Sequence, residues 1–176
     1  MNRIGFANTT LIVLAVAVVG AAGYFILNNW PLISEPKPVL SLTNEISSNW
    51  QFIDAGSFTL YLPPDWKFNK LQGIDSYVGE FAGDGVNLRF DFGRYSNSLA
   101  EDDDPNYIVT YEIIDGHKAK IVVPKVAGSG ITGVYFDKLG GSEGMPQIKL
   151  NLYGKNFTLF QQEIILGIFR TLKIVK

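Results

Sequence analysis

Residues 107 to 123 read "YIVTYEII-DG-HKAKIVV", two runs rich in β-branched and aromatic residues joined by Asp115-Gly116. A two-residue type I′ turn needs positive φ at both central positions, and Asp-Gly is among the few pairs that tolerate it. This commits the middle of the chain to antiparallel sheet and sets a register, with Ile114 opposite His117 and Glu112 opposite Ala119. One face then carries Ile108, Thr110, Glu112, Ile114, His117, Ala119, Ile121 and Val123, the more apolar of the two. The same period of two recurs in "GVNLRFDFG", residues 85 to 93, where Val86, Leu88, Phe90 and Phe92 point one way and Asn87, Arg89 and Asp91 the other.

Further strands are expected at 58–62, stopped by Pro63-Pro64, at 77–83, and in "ITGVYFD" and "PQIKLNLY". Thr158, with Gln161 three residues on, forms a capping-box signal before "LFQQEIILGIFRTL", which predicts a terminal helix. Val39, Leu42, Ile46 and Trp50 recur at near-helical spacing and predict a short amphipathic helix. Strands joined in succession, with helices at both ends, predict an α+β domain: an antiparallel sheet meander with a C-terminal helix and a short N-terminal helix packed on it.

The chain begins differently. Residues 11 to 27, "LIVLAVAVVGAAGYFIL", hold seventeen consecutive residues without a charge or strongly polar side chain. As a helix they span about 25 Å, close to a ~30 Å hydrocarbon core, and Thr9 and Thr10 extend them. The "MNR" start and the small residues of "VGAAG" leave a cleaved signal peptide open as the alternative. Tyr24 to Leu27 continue the apolar run, and Trp30 stands where an interfacial anchor would, which favours an uncleaved transmembrane helix. Arg3 precedes the segment and the next basic residue is Lys37, so the positive-inside bias puts the amino terminus in the cytoplasm and the rest outside. Three divisions follow: an anchor over 1–28, a proline-rich tether with its short helix over 29–56, and the extracytoplasmic α+β domain over 57–176.

Composition narrows the partners. The net charge is −2, and without Arg3 fourteen basic residues face seventeen acidic ones, a balance that argues against nucleic acid. No cysteine is present, which excludes a disulfide framework and a lipobox anchor; with a single histidine, zinc is not expected either. "EDDDP" at 101–105 is acidic enough to suggest calcium, but adjacent acids do not converge on one ion by themselves. A solvated acidic loop is expected there. "NFT" at Asn156 is a glycosylation sequon should the host be eukaryotic.

Two patterns imitate catalytic motifs. "GSGITG", residues 128–133, matches G-x-G-x-x-G, yet Val134-Tyr135-Phe136 continue it as a strand, where a dinucleotide site needs a helix amino terminus. Residues 140–144 match G-x-S-x-G, but Met145-Pro146 and a strand-like run follow, and no histidine lies downstream of Ser142. Neither carries chemistry, so no cofactor is expected. Glu112 and His117 are diagonal neighbours and form the one acid/base couple on offer.

The polar sides of the strands present Tyr61, Arg89, Asp91, Tyr111, Lys120, Lys149, Asn151 and Tyr153, a vocabulary of tyrosine, amide and charge suited to a binding surface. "FTLYLPPDW", "IDGHKAKIV" and the terminal "FRTLKI" together resemble the PsbP/Mog1-like domains, including DcrB-type envelope proteins, over residues 57–175. That resemblance implies a binding or assembly factor and transfers no catalytic residues. The sequence therefore predicts a membrane-anchored extracytoplasmic accessory domain that binds an envelope protein or small ligand. The alternatives are a hydrolase using Glu112 and His117, and a hydrophobic-ligand carrier with an apolar cavity beneath the terminal helix.

Overall fold

A computed structural model describes residues 49–140 and 147–175. The segment expected to span a membrane, the tether, the helix expected over 39–50 except its last two residues, and residues 141–146 lie outside the described residues. Among those described, no helix is long and apolar enough to cross a membrane.

The described elements are β1 (Gln51–Asp54), β2 (Phe58–Leu62), β3 (Lys67–Lys70), β4 (Tyr77–Gly83), β5 (Val86–Gly93), β6 (Tyr107–Ile114), β7 (His117–Pro124), β8 (Ile131–Phe136), β9 (Lys149–Lys155), helix α1 (Leu159–Arg170) and β10 (Lys173–Ile174). The α+β class is as expected, with one helix among these residues. The fold already begins at β1, upstream of the boundary expected at residue 57, because Gln51 to Asp54 pair along β2.

The strands form two antiparallel sheets, a small one in the order β1-β2-β10 and a large one in the order β3-β4-β5-β9-β8-β7-β6. The Asp115-Gly116 turn has φ of 50° and 77°, and the register places Ile114 opposite His117 and Glu112 opposite Ala119, as the hairpin signal predicts. The simple meander does not hold. Strand β9 lies between β5 and β8, so the chain leaving β5 must cross β9, β8 and β7 to start β6 at the far edge. With neighbouring strands ~4.8 Å apart, that crossing spans about 19 Å and occupies residues 94–106.

Period-two alternation supplies the core. Phe58, Leu60 and Leu62 of β2 are completely buried, as are Phe81, Leu88, Leu150, Leu152 and Val134 of the large sheet. Phe58 packs edge-on against Phe90, their ring centroids 5.0 Å apart at 88°. Each such buried side chain contributes about 1.5–3 kcal/mol relative to exposure. Helix α1 adds Ile165, Ile168 and Phe169, all fully buried. Its capping box is complete: Gln161 N–H donates to Thr158 Oγ1, and Thr158 N–H donates to Gln161 Oε1 at 3.0 Å. Gly167 leaves room for the Trp50 ring, whose Cη2 would stand 3.2 Å from a Cβ at that position.

Candidate functional site

The face of the large sheet away from the core carries one continuous polar row. Strand pairing aligns Asp91 with Asn151, Asn151 with Tyr135, Tyr135 with Lys120, and Lys120 with Tyr111 across β5, β9, β8, β7 and β6. Arg89, Tyr153 and Lys149 lie on the same face through the same registers. Tyr61 does not join them. It sits on β2 in the small sheet, paired with Phe52 and stacked edge-on to its ring at 5.6 Å.

This face is largely not open. The 94–106 crossover lies over it as a strap, and the polar row fastens it from below. Asn151 Nδ2 donates to the Asn97 carbonyl at 3.2 Å, and the Lys120 ammonium donates to the Ala100 carbonyl and pairs with Asp102 Oδ1 at 2.7 Å. Tyr111 O–H donates to Asp102 Oδ2 at 2.8 Å, and Ser96 Oγ donates to the Asp91 carbonyl at 2.6 Å. Lys120 and Asn151 are consequently buried, whereas Arg89 and Tyr111 remain exposed and Asp91, Lys149 and Tyr153 are half-buried. Beneath the strap, Asp91 Oδ1 and Asn151 Oδ1 are buried without a hydrogen-bond donor.

The electrostatics suit a fastening. Hydrogen bonds from Lys120 and then Tyr111 hold the Asp102 carboxyl below its ordinary range, and the same bond raises Tyr111. Burial, reinforced by the hydrogen bond to Asp137, pushes the Tyr135 phenol up to about 12. Of the acidic run, Asp102 thus serves the strap, while Asp104 Oδ1 accepts the Asn106 backbone N–H at 2.9 Å in a local turn. No group of three or more potential metal ligands occurs among the described residues.

Glu112 and His117 occupy neighbouring positions on the core side, as the register requires. Both Glu112 carboxylate oxygens, however, are held by Arg170 at the end of α1, at 2.8 and 3.0 Å. That pairing lowers the Glu112 pKa, which makes the carboxylate a poor proton acceptor. Gly128 and Gly130 of the glycine pattern have φ of 81° and 77° in the β7–β8 connection, and Gly133 lies inside β8. Of the serine pattern only Gly140 falls among the described residues.

A pocket of about 330 Å³ opens at the amino-terminal end of α1, lined by Pro63, Trp66, Val86, Phe160 and Ile164 with Asp84, Thr158 and Gln161. Pro63 and Trp66 come from the β2–β3 connection, Asp84 from the β4–β5 turn. Asp84 Oδ2 accepts the Trp66 indole N–H at 3.2 Å and so fixes that wall. Gln51 Nε2 steadies the same connection by donating to the Pro63 and Trp66 carbonyls. The space directly under α1 is filled by Ile165, Ile168 and Phe169. Sequence reasoning missed this pocket. The available signal was Phe160, which the helical pattern sets off the buried stripe and which is 72% exposed. Comparison with protein-family models, with curated proteins and with solved structures finds no match for this chain.

Proposed function

We propose that this chain is a non-catalytic binding domain, held at a membrane by residues 11–27 and projecting outside the cytoplasm, that receives an apolar side chain of a protein partner in the Trp66–Phe160 pocket. The observation that carries the reading is the pocket itself: a largely apolar recess walled by a hydrogen-bonded indole, with a phenylalanine exposed at its rim. Aromatic residues concentrated in a pocket are the usual anchors of protein recognition. A free carboxylate-imidazole couple would have favoured hydrolysis, but Glu112 is committed to Arg170. The resemblance to PsbP/Mog1-like domains points towards an accessory role as well.

The test is site-specific photo-crosslinking in the full chain, in its own membrane, with the probe at position 160 or at the exposed Glu163. One discrete adduct from position 160 and none from 163 supports the reading. Equal labelling at both positions, or at neither, overturns it. The mature mass, compared with that of the full chain, separates a retained anchor from a cleaved signal peptide.

A volume of about 330 Å³ also lies at the lower end of small-ligand sites, so a small apolar ligand is the second reading. It predicts that the purified full chain releases an organic compound on denaturation, and that Phe160→Ser lowers the amount retained.

A further inference from the structure

The large sheet ends in two unequal edges. Strand β3 has four residues, two of them Lys67 and Lys70, the kind of edge that charge keeps solitary. Strand β6 has eight residues, "YIVTYEII", with no lysine and no proline, and no described strand lies beyond it. Ile108, Tyr111 and Ile113 on it are 52%, 47% and 72% exposed.

The hairpin register determines which backbone groups of β6 remain. Ile114 and His117 flank the two-residue turn, so Ile114, Glu112, Thr110 and Ile108 direct their N–H and C=O groups to β7. The alternate residues Tyr107, Val109, Tyr111 and Ile113 direct theirs outwards. Tyr107 N–H is already used, donating to the Asp104 carbonyl at 3.2 Å. The open edge is therefore Val109, Tyr111 and Ile113.

We infer that this edge pairs with the same edge of a second copy, antiparallel, about a two-fold axis at Tyr111. The residues around Tyr111 are ordered for it. Reading outwards, Thr110 and Glu112 are both polar, Val109 and Ile113 are both β-branched and apolar, and Ile108 and Ile114 are identical. With Tyr111 opposite its copy, Val109 faces the second copy's Ile113 and each supplies outward-directed backbone groups. The three paired positions exchange about six hydrogen bonds, which uses every outward N–H and C=O of Val109, Tyr111 and Ile113. Charge agrees with the register: Glu112 faces Thr110 rather than a second Glu112, and its own charge is neutralised by Arg170. Lys118, whose ammonium lies 4.0 Å from the Tyr111 ring centroid, and Asp102 bring opposite signs to the seam. An unrelated strand would satisfy the backbone equally, but it gives no reason for the mirror order. The product is one continuous sheet built from two seven-stranded ones.

The test uses the full chain in mild detergent, by sedimentation velocity over a range of concentrations. A reversible dimer is expected, and Ile113→Lys, at an exposed position that does not burden the monomer, should weaken it at least tenfold. The chain has no cysteine, so register is read directly by disulfide formation. Under mild oxidation Tyr111→Cys should link to itself, and Val109→Cys should link to Ile113→Cys when the two are mixed, while neither of those two links to itself. A monomer at every concentration, a dimer indifferent to Ile113→Lys, or self-linking of Val109→Cys overturns the inference. So does recovery of the edge paired with a different protein. None of these readouts involves the Trp66–Phe160 pocket, so the pocket reading and this one fail separately.

Discussion

The ammonium of Lys120 stands 2.7 Å from Asp102 Oδ1, which fastens the β5–β6 crossover to the sheet it crosses. Lys120 is buried and Asp102 is largely exposed, so the two ends of the pair are unequal. Removing the lysine also strips the Ala100 carbonyl of its donor. Lys120→Met, which keeps the stem and loses the charge, should cost about 1.5–3 kcal/mol in urea unfolding, the range for a lost hydrogen bond to a charged group. Asp102→Asn should cost less, because Lys120 keeps the Ala100 carbonyl. Amide exchange over residues 97–103 should accelerate in both variants, and more in Lys120→Met, while exchange in β4 stays unchanged.

The Glu112–Arg170 pair ties the end of α1 to β6 across 58 residues of chain. Its hydrogen bonds and charge hold the Glu112 pKa below the ordinary 4.5. A carboxyl depressed in the folded state binds fewer protons there than in the unfolded chain, so its stabilisation is present above the unfolded pKa and is lost as pH falls through the folded one. The stability difference between the parent chain and Glu112→Gln should therefore be full at neutral pH and shrink below about pH 4.5. Urea midpoints for both chains down to pH 3 measure it. A constant difference across that range would show that the pair carries no linkage.

Tyr135 supplies the opposite limb. Its phenol is raised from 10.0 to about 12 by burial and by the hydrogen bond to Asp137. A raised pKa contributes stability that is complete below the unfolded value and is lost as pH rises through the folded one, here between pH 10 and about 12. Phenolate absorbance should show a late-titrating component that Tyr135→Phe removes. Alkaline unfolding should shift to higher pH in that variant, since its buried ring has no proton to lose.

The fold is legible in the sequence where local chemistry decides it. Asp115-Gly116 makes the turn because both residues accept positive φ, and Thr158 with Gln161 makes the capping box through two reciprocal hydrogen bonds. Strand β3 escaped notice because Phe68 alone among its residues is apolar, and β1 because four residues are too few for alternation to register. The insertion of β9 beside β5 was not legible at all, since strand order depends on long-range pairing that no local pattern encodes. That single fact changes the candidate surface. Lys120 and Asn151 alternate like solvent-facing residues and are polar, yet the strap required by the strand order covers them. The pocket at the amino-terminal end of α1 was hidden for the same reason, as it joins Trp66, Val86 and Phe160 from three distant stretches of chain.

The glycines of "GSGITG" have structural reasons that a nucleotide does not supply. Gly128 and Gly130 need positive φ, which costs a residue with a Cβ about 1–2 kcal/mol. Gly133 is different: a Cβ there would stand 2.5 Å from Leu99 Cδ1, 2.7 Å from Tyr153 Cβ and 3.1 Å from the Leu152 carbonyl oxygen. Leu99 belongs to the strap, so this glycine lets the crossover approach the sheet. Gly133→Ala should destabilise the chain by about 1–3 kcal/mol, the usual penalty for overpacking. Leu99→Ala in the same chain should recover only part of that loss, because Tyr153 and the β9 backbone still crowd the new methyl. Gly128→Ala, with open space around its Cβ, should cost less and leave strap exchange unaltered. Urea midpoints for the three variants test the order, and equal costs at 128 and 133 would refute the packing role assigned to Gly133.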